Sequence, residues 1–183
     1  MFAQLLERLA HALDQARLPY MIIGGQAVLL YGEPRFTADI DVTLGINVDR
    51  QADVVAVATT LSLTPLVAPE SFTTQTMVLP CLDQATGIRV DFIFSFTPYE
   101  HQAIDRAARI SIGKTQVRFA TAEDLIVHKM LAGRPRDHED VTGILLKQPH
   151  LDLAYIRHWL AKFAATVHQP LTEQFETLLK NIR

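Results

Sequence analysis

The stretch from Ile22 to Val42, IIGGQAVLLYGEPRFTADIDV, constrains this chain more than any other. The apolar run YMII reads as a buried strand, and it ends on Gly24 and Gly25. The segment GQAVLLYG then reads as a short helix that stops near Gly32. After the loop GEPRFTA comes DIDVTLG, where acid and apolar residues alternate as in a strand with one wet face. Side chains alternate along a strand, so Asp39 and Asp41 share one face while Ile40 and Val42 take the other, toward a core. Two neighbouring carboxylates repel unless a cation sits between them. Hard oxygen ligands of this kind favour magnesium, which takes one or two carboxylates together with phosphate oxygens. The same D-x-D also occurs on ordinary solvated strands. At the strand-to-helix turn, bare backbone at Gly24 and Gly25 suits close approach of an anion to free amides, and a plain tight turn explains it as well.

The rest of the chain supplies elements around this unit. Leu5, Leu6, Leu9, Ala12, Leu13 and Ala16 recur at helical spacing, with Pro19 as the stop. Asp49 is positioned to cap a helix over RQADVVAVATTLSL. TQTMVLPCL and IRVDFIF read as two strands of a hairpin turned by Gly87, with Pro80 suggesting an edge or a bulge. From Pro98 the pattern is mostly helical, with a short strand pair around Gly113. Thr121 starts a helix that Gly133 and Pro135 stop, and three more helices follow near 138–147, 152–164 and 170–181. The expected fold class is therefore α/β (α+β): a mixed sheet flanked by helices over residues 1–120, with a helical extension over 121–183.

Asp91 lies among Val90, Phe92, Ile93 and Phe94, where a carboxylate needs a partner. Two partners are open to it. Arg89, two residues away on the same face, gives an ion pair; a cation shared with Asp39 and Asp41 makes Asp91 a third metal ligand.

Several chemistries are excluded by what is missing. The seven histidines form no zinc spacing, and no dinucleotide fingerprint, P-loop or serine-nucleophile elbow occurs. The single cysteine, Cys81, cannot form an intrachain disulfide, and the N-terminal helix is too charged for an export signal, so the expected compartment is the cytoplasm, with no membrane association. Residues 1–100 carry 5 basic against 11 acidic side chains and residues 101–183 carry 12 against 9. An acidic first part suits a cation site.

Ile23-Gly24-Gly25, thirteen intervening residues, Asp39-Ile40-Asp41 and later Val90-Asp91-Phe92 together resemble the DNA polymerase β-like nucleotidyltransferase superfamily. Within it, GEPRFTADIDV and AEDLIVHKMLAGRPRDHEDV look like small stand-alone proteins related to the nucleotidyltransferase toxins of type IV abortive-infection toxin–antitoxin systems. The resemblance covers about residues 20–147. Gly25 departs from the serine of many relatives, and Arg136 from a frequent lysine.

The resemblance implies a nucleotidyltransferase-type fold and an enzyme that moves NMP from an NTP to a hydroxyl of tRNA, a protein or a small molecule, releasing pyrophosphate. It implies that Asp39, Asp41 and Asp91 are catalytic and hold two Mg2+ ions. It also implies that Gly24, Gly25, Arg35, Thr37, Lys129, Asp137 and Asp140 bind the nucleotide. Local readings stand beside these: Lys129 as an exposed surface lysine, Asp137 as the cap of a helix beginning at His138, Arg35 and Thr37 as loop residues. An alternative is a catalytically silent member that holds a nucleotide or a partner, including a cognate antitoxin. In the tail, Arg134, Arg157 and His158 are side chains available to an acceptor cleft.

Overall fold

A computed structural model of the protein describes residues 1–182. The chain divides into two compact units, one formed by Met1–Gln26 with Thr37–Phe119, the other by Ala27–Phe36 with the segment from Ala120 onward.

The first unit is built on a seven-stranded mixed sheet of order β3-β4-β5-β2-β1-β7-β6. Its strands are β1 (Tyr20–Ile23), β2 (Asp39–Leu44), β3 (Leu63–Pro65), β4 (Val78–Asp83), β5 (Ile88–Phe94), β6 (Ala108–Ile112) and β7 (Thr115–Phe119). β2 lies at the centre, antiparallel to β1 and parallel to β5. Ile40, Val42, Val90 and Phe92 are fully buried from these two strands. The residues between them in each strand, Asp39 and Asp41 on β2 and Arg89 and Asp91 on β5, keep contact with solvent. The alternation read from the sequence is thus a sheet with one acidic, wet patch.

Helix α1 (Phe2–Gln15) buries Leu5, Leu6, Leu9 and Leu13 and packs against β6 and β7. It stops before Pro19 is reached: Arg17 adopts φ 53°, and Leu18 N–H closes back on the Leu13 carbonyl. The Glu7 carboxylate accepts from Lys114 N–H and occupies the space beside Gly113. After β2, Asn47 rather than Asp49 supplies the cap, starting a 3-10 turn (Val48–Arg50) that runs into α3 (Gln51–Thr60). The short helix α4 (Pro69–Thr76) and strand β3 were not legible in the sequence, because α4 buries only Thr73 and β3 is three residues long. α5 (Pro98–Arg106) follows β5.

The Pro80 expectation is corrected here. β4 is neither an edge nor bulged, since it pairs with β5 from Val78 to Asp83 and with β3 on its other side. The Pro80 carbonyl accepts from Leu66 N–H. The missing N–H of Pro80 therefore lies on the β3 side, where that ladder is running out, and the β5 ladder is intact.

Helix α2 (Gly24–Tyr31) begins in the first unit and ends in the second. The second unit continues with α6 (Ala122–Ala132), α7 (Pro135–Lys147), α8 (Leu153–Val167) and α9 (Leu171–Asn181). α6 is its centre and packs against α7, α8 and α9. It is buried nearly all round, including the charged Asp124 and Lys129. Thr121 caps α6 and Gly133 ends it in the left-handed conformation, as the sequence indicates. α7 starts three residues earlier than expected because Pro135 occupies its first turn, where a missing N–H is harmless. Among the described residues no helix is long and apolar enough to cross a membrane.

Candidate active site

β2 and β5 bring the three motif acids to one face. Their parallel register pairs Asp39 with Arg89 and Asp41 with Asp91. Register partners on neighbouring strands sit about 5 Å apart, so Asp41 and Asp91 are adjacent although distant in sequence. Asp39 lies one step along the same face.

The two glycines are explained by this patch. β1 ends at Ile23, which pairs with Asp41. The chain then turns at Gly24 with φ 64°, and a Cβ built there would lie 1.8 Å from Asp41 Oδ2. At Gly25 a Cβ would lie 2.2 Å from the Thr37 hydroxyl oxygen. Both side chains therefore press onto bare backbone at the start of α2. Thr37 Oγ1 in turn donates to Asp39 Oδ1 at 3.1 Å. The turn, Thr37 and the acids form one connected arrangement at the start of a helix. Such a helix start offers positive partial charge to an anion.

Arg89 is the cation of the patch. Its Nε donates to Asp91 Oδ1 at 2.7 Å. The guanidinium pKa is raised, chiefly by this hydrogen bond, which outweighs the opposing effect of burial, and further by the charges of Asp91, Asp39 and Asp41. Cys81, on the neighbouring β4, stays a thiol: burial, then the Asp91 charge, pushes it up to about 12. It is no nucleophile.

Whether these residues suit a divalent cation follows from the donor set. Three carboxylates share one face, and a positive group is already drawn among them. As the side chains stand, no ready-made metal cluster of three or more His, Cys, Asp or Glu occurs among the described residues. Arg89 engages one oxygen of Asp91. In charge and donor type the patch fits Mg2+, and Asp39, Asp41 and Asp91 are the residues able to hold it.

The second unit holds the remaining candidates in a buried ion network. Lys129 is not an exposed surface lysine: it is 5% exposed. Its Nζ lies 2.8 Å from both Asp137 Oδ1 and Asp140 Oδ2. Asp137 and Asp140 stand three apart on α7 and so share the face that meets Lys129. Asp137 does not cap a helix at His138. It is the third residue of α7, accepting from the Arg134 N–H at 3.2 Å and from Arg134 Nε at 2.7 Å. Burial pushes the Asp137 carboxyl up, yet hydrogen bonds from Arg134 and Lys129 and their charges outweigh it, leaving the pKa below the ordinary carboxylate value. Arg35 completes the network. Its guanidinium donates to both oxygens of Asp140, at 2.9 and 3.1 Å, and to the Phe36 carbonyl.

The candidates thus fall into two groups: Gly24, Gly25, Thr37, Asp39, Asp41 and Asp91 in the first unit, Arg35, Lys129, Asp137 and Asp140 in the second. Of the tail side chains, Arg134 serves Asp137, Arg157 is engaged with Glu176, and His158 stacks edge-on to Trp159. Arg89 joins the site through Asp91, and its place two residues before Asp91 was the signal available in the sequence.

No curated protein matches the chain in sequence. Among solved structures it is similar to the antibiotic-resistance factor ANT(2'')-Ia, with a TM-score of 0.61, 17% identity, and coverage of 91% of this chain and 92% of that one. The same factor is also known in complex with adenylyl-2''-tobramycin, at a TM-score of 0.53, 18% identity, and coverage of 96% and 97%. An antigenic nucleotidyltransferase-like protein from Paracoccidioides brasiliensis gives 0.55 at 15% identity, covering 95% and 91%. The lincosamide antibiotic adenylyltransferase LnuA, solved with lincomycin, gives 0.50 at 14% identity, covering 72% and 89%. At such identities the likeness speaks of the fold. In sequence, a family model described as "Nucleotidyltransferase of unknown function (DUF6036)" matches residues 1–177, and the chain belongs to that nucleotidyltransferase family.

Proposed function

We propose that the protein transfers NMP from an NTP to a hydroxyl of its acceptor, with Asp39, Asp41 and Asp91 holding Mg2+. The observation that carries this reading is the alignment of Asp41 beside Asp91 on neighbouring parallel strands, with Asp39 on the same wet face. The acceptor oxygen forms a bond to the α-phosphorus while the bond from that phosphorus to the bridging oxygen breaks, and pyrophosphate leaves with the electron pair. When bound, two Mg2+ ions supply charge neutralisation at the attacking and leaving oxygens. The chain's own residues position and shield. The Gly24 and Gly25 amides receive phosphate oxygens at the start of α2. Thr37 fixes the Asp39 carboxylate. Asp91 takes up the proton lost by the attacking hydroxyl. Arg35, Lys129, Asp137 and Asp140, the ion network of the second unit, are the further residues proposed for nucleotide binding.

For the acceptor we favour a small hydroxylated molecule over tRNA or protein, because ANT(2'')-Ia and LnuA, similar in fold, carry antibiotic ligands in their solved forms. The proposed division of labour is a catalytic core over residues 1–120 and a helical extension from residue 121 onward, although Ala27–Phe36 of the core clusters with that extension. Cytoplasmic placement belongs to the same proposal. The test incubates the protein with NTPs labelled at the α-phosphate, Mg2+, and panels of aminoglycosides, lincosamides, tRNA and proteins. Label transfer lost in Asp39→Ala and Asp41→Ala supports the reading; no transfer and no pyrophosphate release with any acceptor overturns it.

A second reading draws on the Arg89–Asp91 pair, which engages one of the three acids. In it the protein is a silent member that binds a nucleotide or a partner such as an antitoxin. Calorimetric NTP binding without pyrophosphate release distinguishes it.

A further inference from the structure

Arg89 is accounted for neither by the glycine turn nor by the acid pattern. It lies on β5 beside Asp39 of β2, and its Nε holds Asp91 at 2.7 Å. Its side chain is 52% exposed against 14% for that of Asp91, so a cation with freedom to swing meets an anion that is largely fixed. A guanidinium and a divalent cation compete for the same carboxylate oxygens. Once a cation takes Asp91, the freed guanidinium stands beside new positive charge with its anion gone, and that repulsion opposes cation binding. A triphosphate removes the penalty, because its oxygens match the planar fork of an arginine.

We propose that Arg89 is a nucleotide-binding residue that holds Asp91 in the resting protein and passes to a phosphate of the NTP as a divalent cation takes its place. The proposal rests on the cation and nucleotide reading above. Its consequence is coupling: the cation alone binds weakly, nucleotide and cation bind together, and each raises the affinity of the other by the same factor.

The experiment titrates Mn2+ by calorimetry into the full chain, alone and with the tightest-binding α,β-methylene analogue of the four NTPs. Wild type, Arg89→Gln, Arg89→Lys and Asp41→Asn are compared, with circular dichroism reporting that each is folded. Arg89→Gln is expected to bind Mn2+ alone roughly twofold to fivefold more tightly, the scale of a partly exposed charge pair, and to lose most of the coupling to nucleotide. Arg89→Lys keeps the competing charge without the fork, so it retains weak Mn2+ binding but loses nucleotide affinity, and it carries the test if Arg89→Gln does not fold. Equal Mn2+ affinity and equal coupling in wild type and the Arg89 variants overturn the proposal and leave the cation reading standing. Absence of any Mn2+ heat that Asp41→Asn abolishes overturns both.

Discussion

Gly24→Ala tests the packing of the acid patch onto the glycine turn. The substitution acts twice. Its backbone, at φ 64°, is one that L-residues enter at a cost of about 1–2 kcal/mol. Its new methyl would lie 1.8 Å from Asp41 Oδ2, 2.8 Å from Cγ and 3.1 Å from Cβ, so Asp41 has to leave its rotamer. That displacement costs about 1 kcal/mol more. The total of about 2–3 kcal/mol moves a urea unfolding midpoint by roughly 1 M for an m-value on the order of 2–3 kcal/mol/M. A double-mutant cycle separates the two parts. In an Asp41→Ala background the carboxyl atoms are gone, and Gly24→Ala costs the backbone part and the milder approach to the remaining Cβ at 3.1 Å. The expected coupling is therefore about 1 kcal/mol, read from four urea curves. A coupling near zero refutes the contact between Asp41 and the turn; a single-variant loss below about 0.5 kcal/mol refutes the strained backbone as well.

Lys129→Met removes the ammonium shared by Asp137 and Asp140 and leaves them to Arg134 and Arg35, and a loss of about 1.5–3 kcal/mol in unfolding free energy is expected. Because the Asp137 pKa is depressed in the fold, its contribution is present above the unfolded value near 3.8 and lost as pH falls below it, so an acid-unfolding profile should steepen there. Cys81, pushed up from 9.0 to about 12, should be inert to a disulfide reagent at pH 8 in the folded protein and react once urea unfolds it. Tyr20, raised by burial from 10.0 to about 12, acts in the same direction. Between pH 9 and 12 the unfolded chain releases these protons while the fold retains them, so stability should fall with rising pH, and less steeply in Cys81→Ala. Arg17→Gly relieves a positive φ of 53° at the end of α1 and should raise the melting temperature by about 2–4 °C, for a gain of about 1 kcal/mol.

What the sequence made legible was local. The alternation in DIDV and VDF placed Asp39, Asp41 and Asp91 on wet faces because strand geometry allows nothing else, and Arg89 fell on the face of Asp91 for the same reason. That β2 and β5 are neighbours, and in the register that sets Asp41 against Asp91, is a non-local fact no short window contains. The reason for Gly24 was similarly hidden: the space a side chain would need is filled by a residue seventeen positions away. Of the two readings of Lys129, the exposed surface lysine fails, because the burial of a lysine depends on acids in the right place. They came from the next helix, whose start the sequence set three residues late by taking Pro135 only as a stop. The Asp49 cap failed on a smaller point, since Asn47 two residues earlier already accepts from Val48 N–H.

The most direct measurement is a crystal structure of the protein grown with Mn2+ and a non-hydrolysable NTP analogue, read by manganese anomalous scattering. The account predicts peaks within ligand distance of carboxylate oxygens from Asp39, Asp41 and Asp91, phosphate oxygens against the Gly24 and Gly25 amides, and Arg89 turned away from Asp91. Manganese bound elsewhere, with the Arg89 guanidinium still on Asp91 at hydrogen-bond distance, would contradict it.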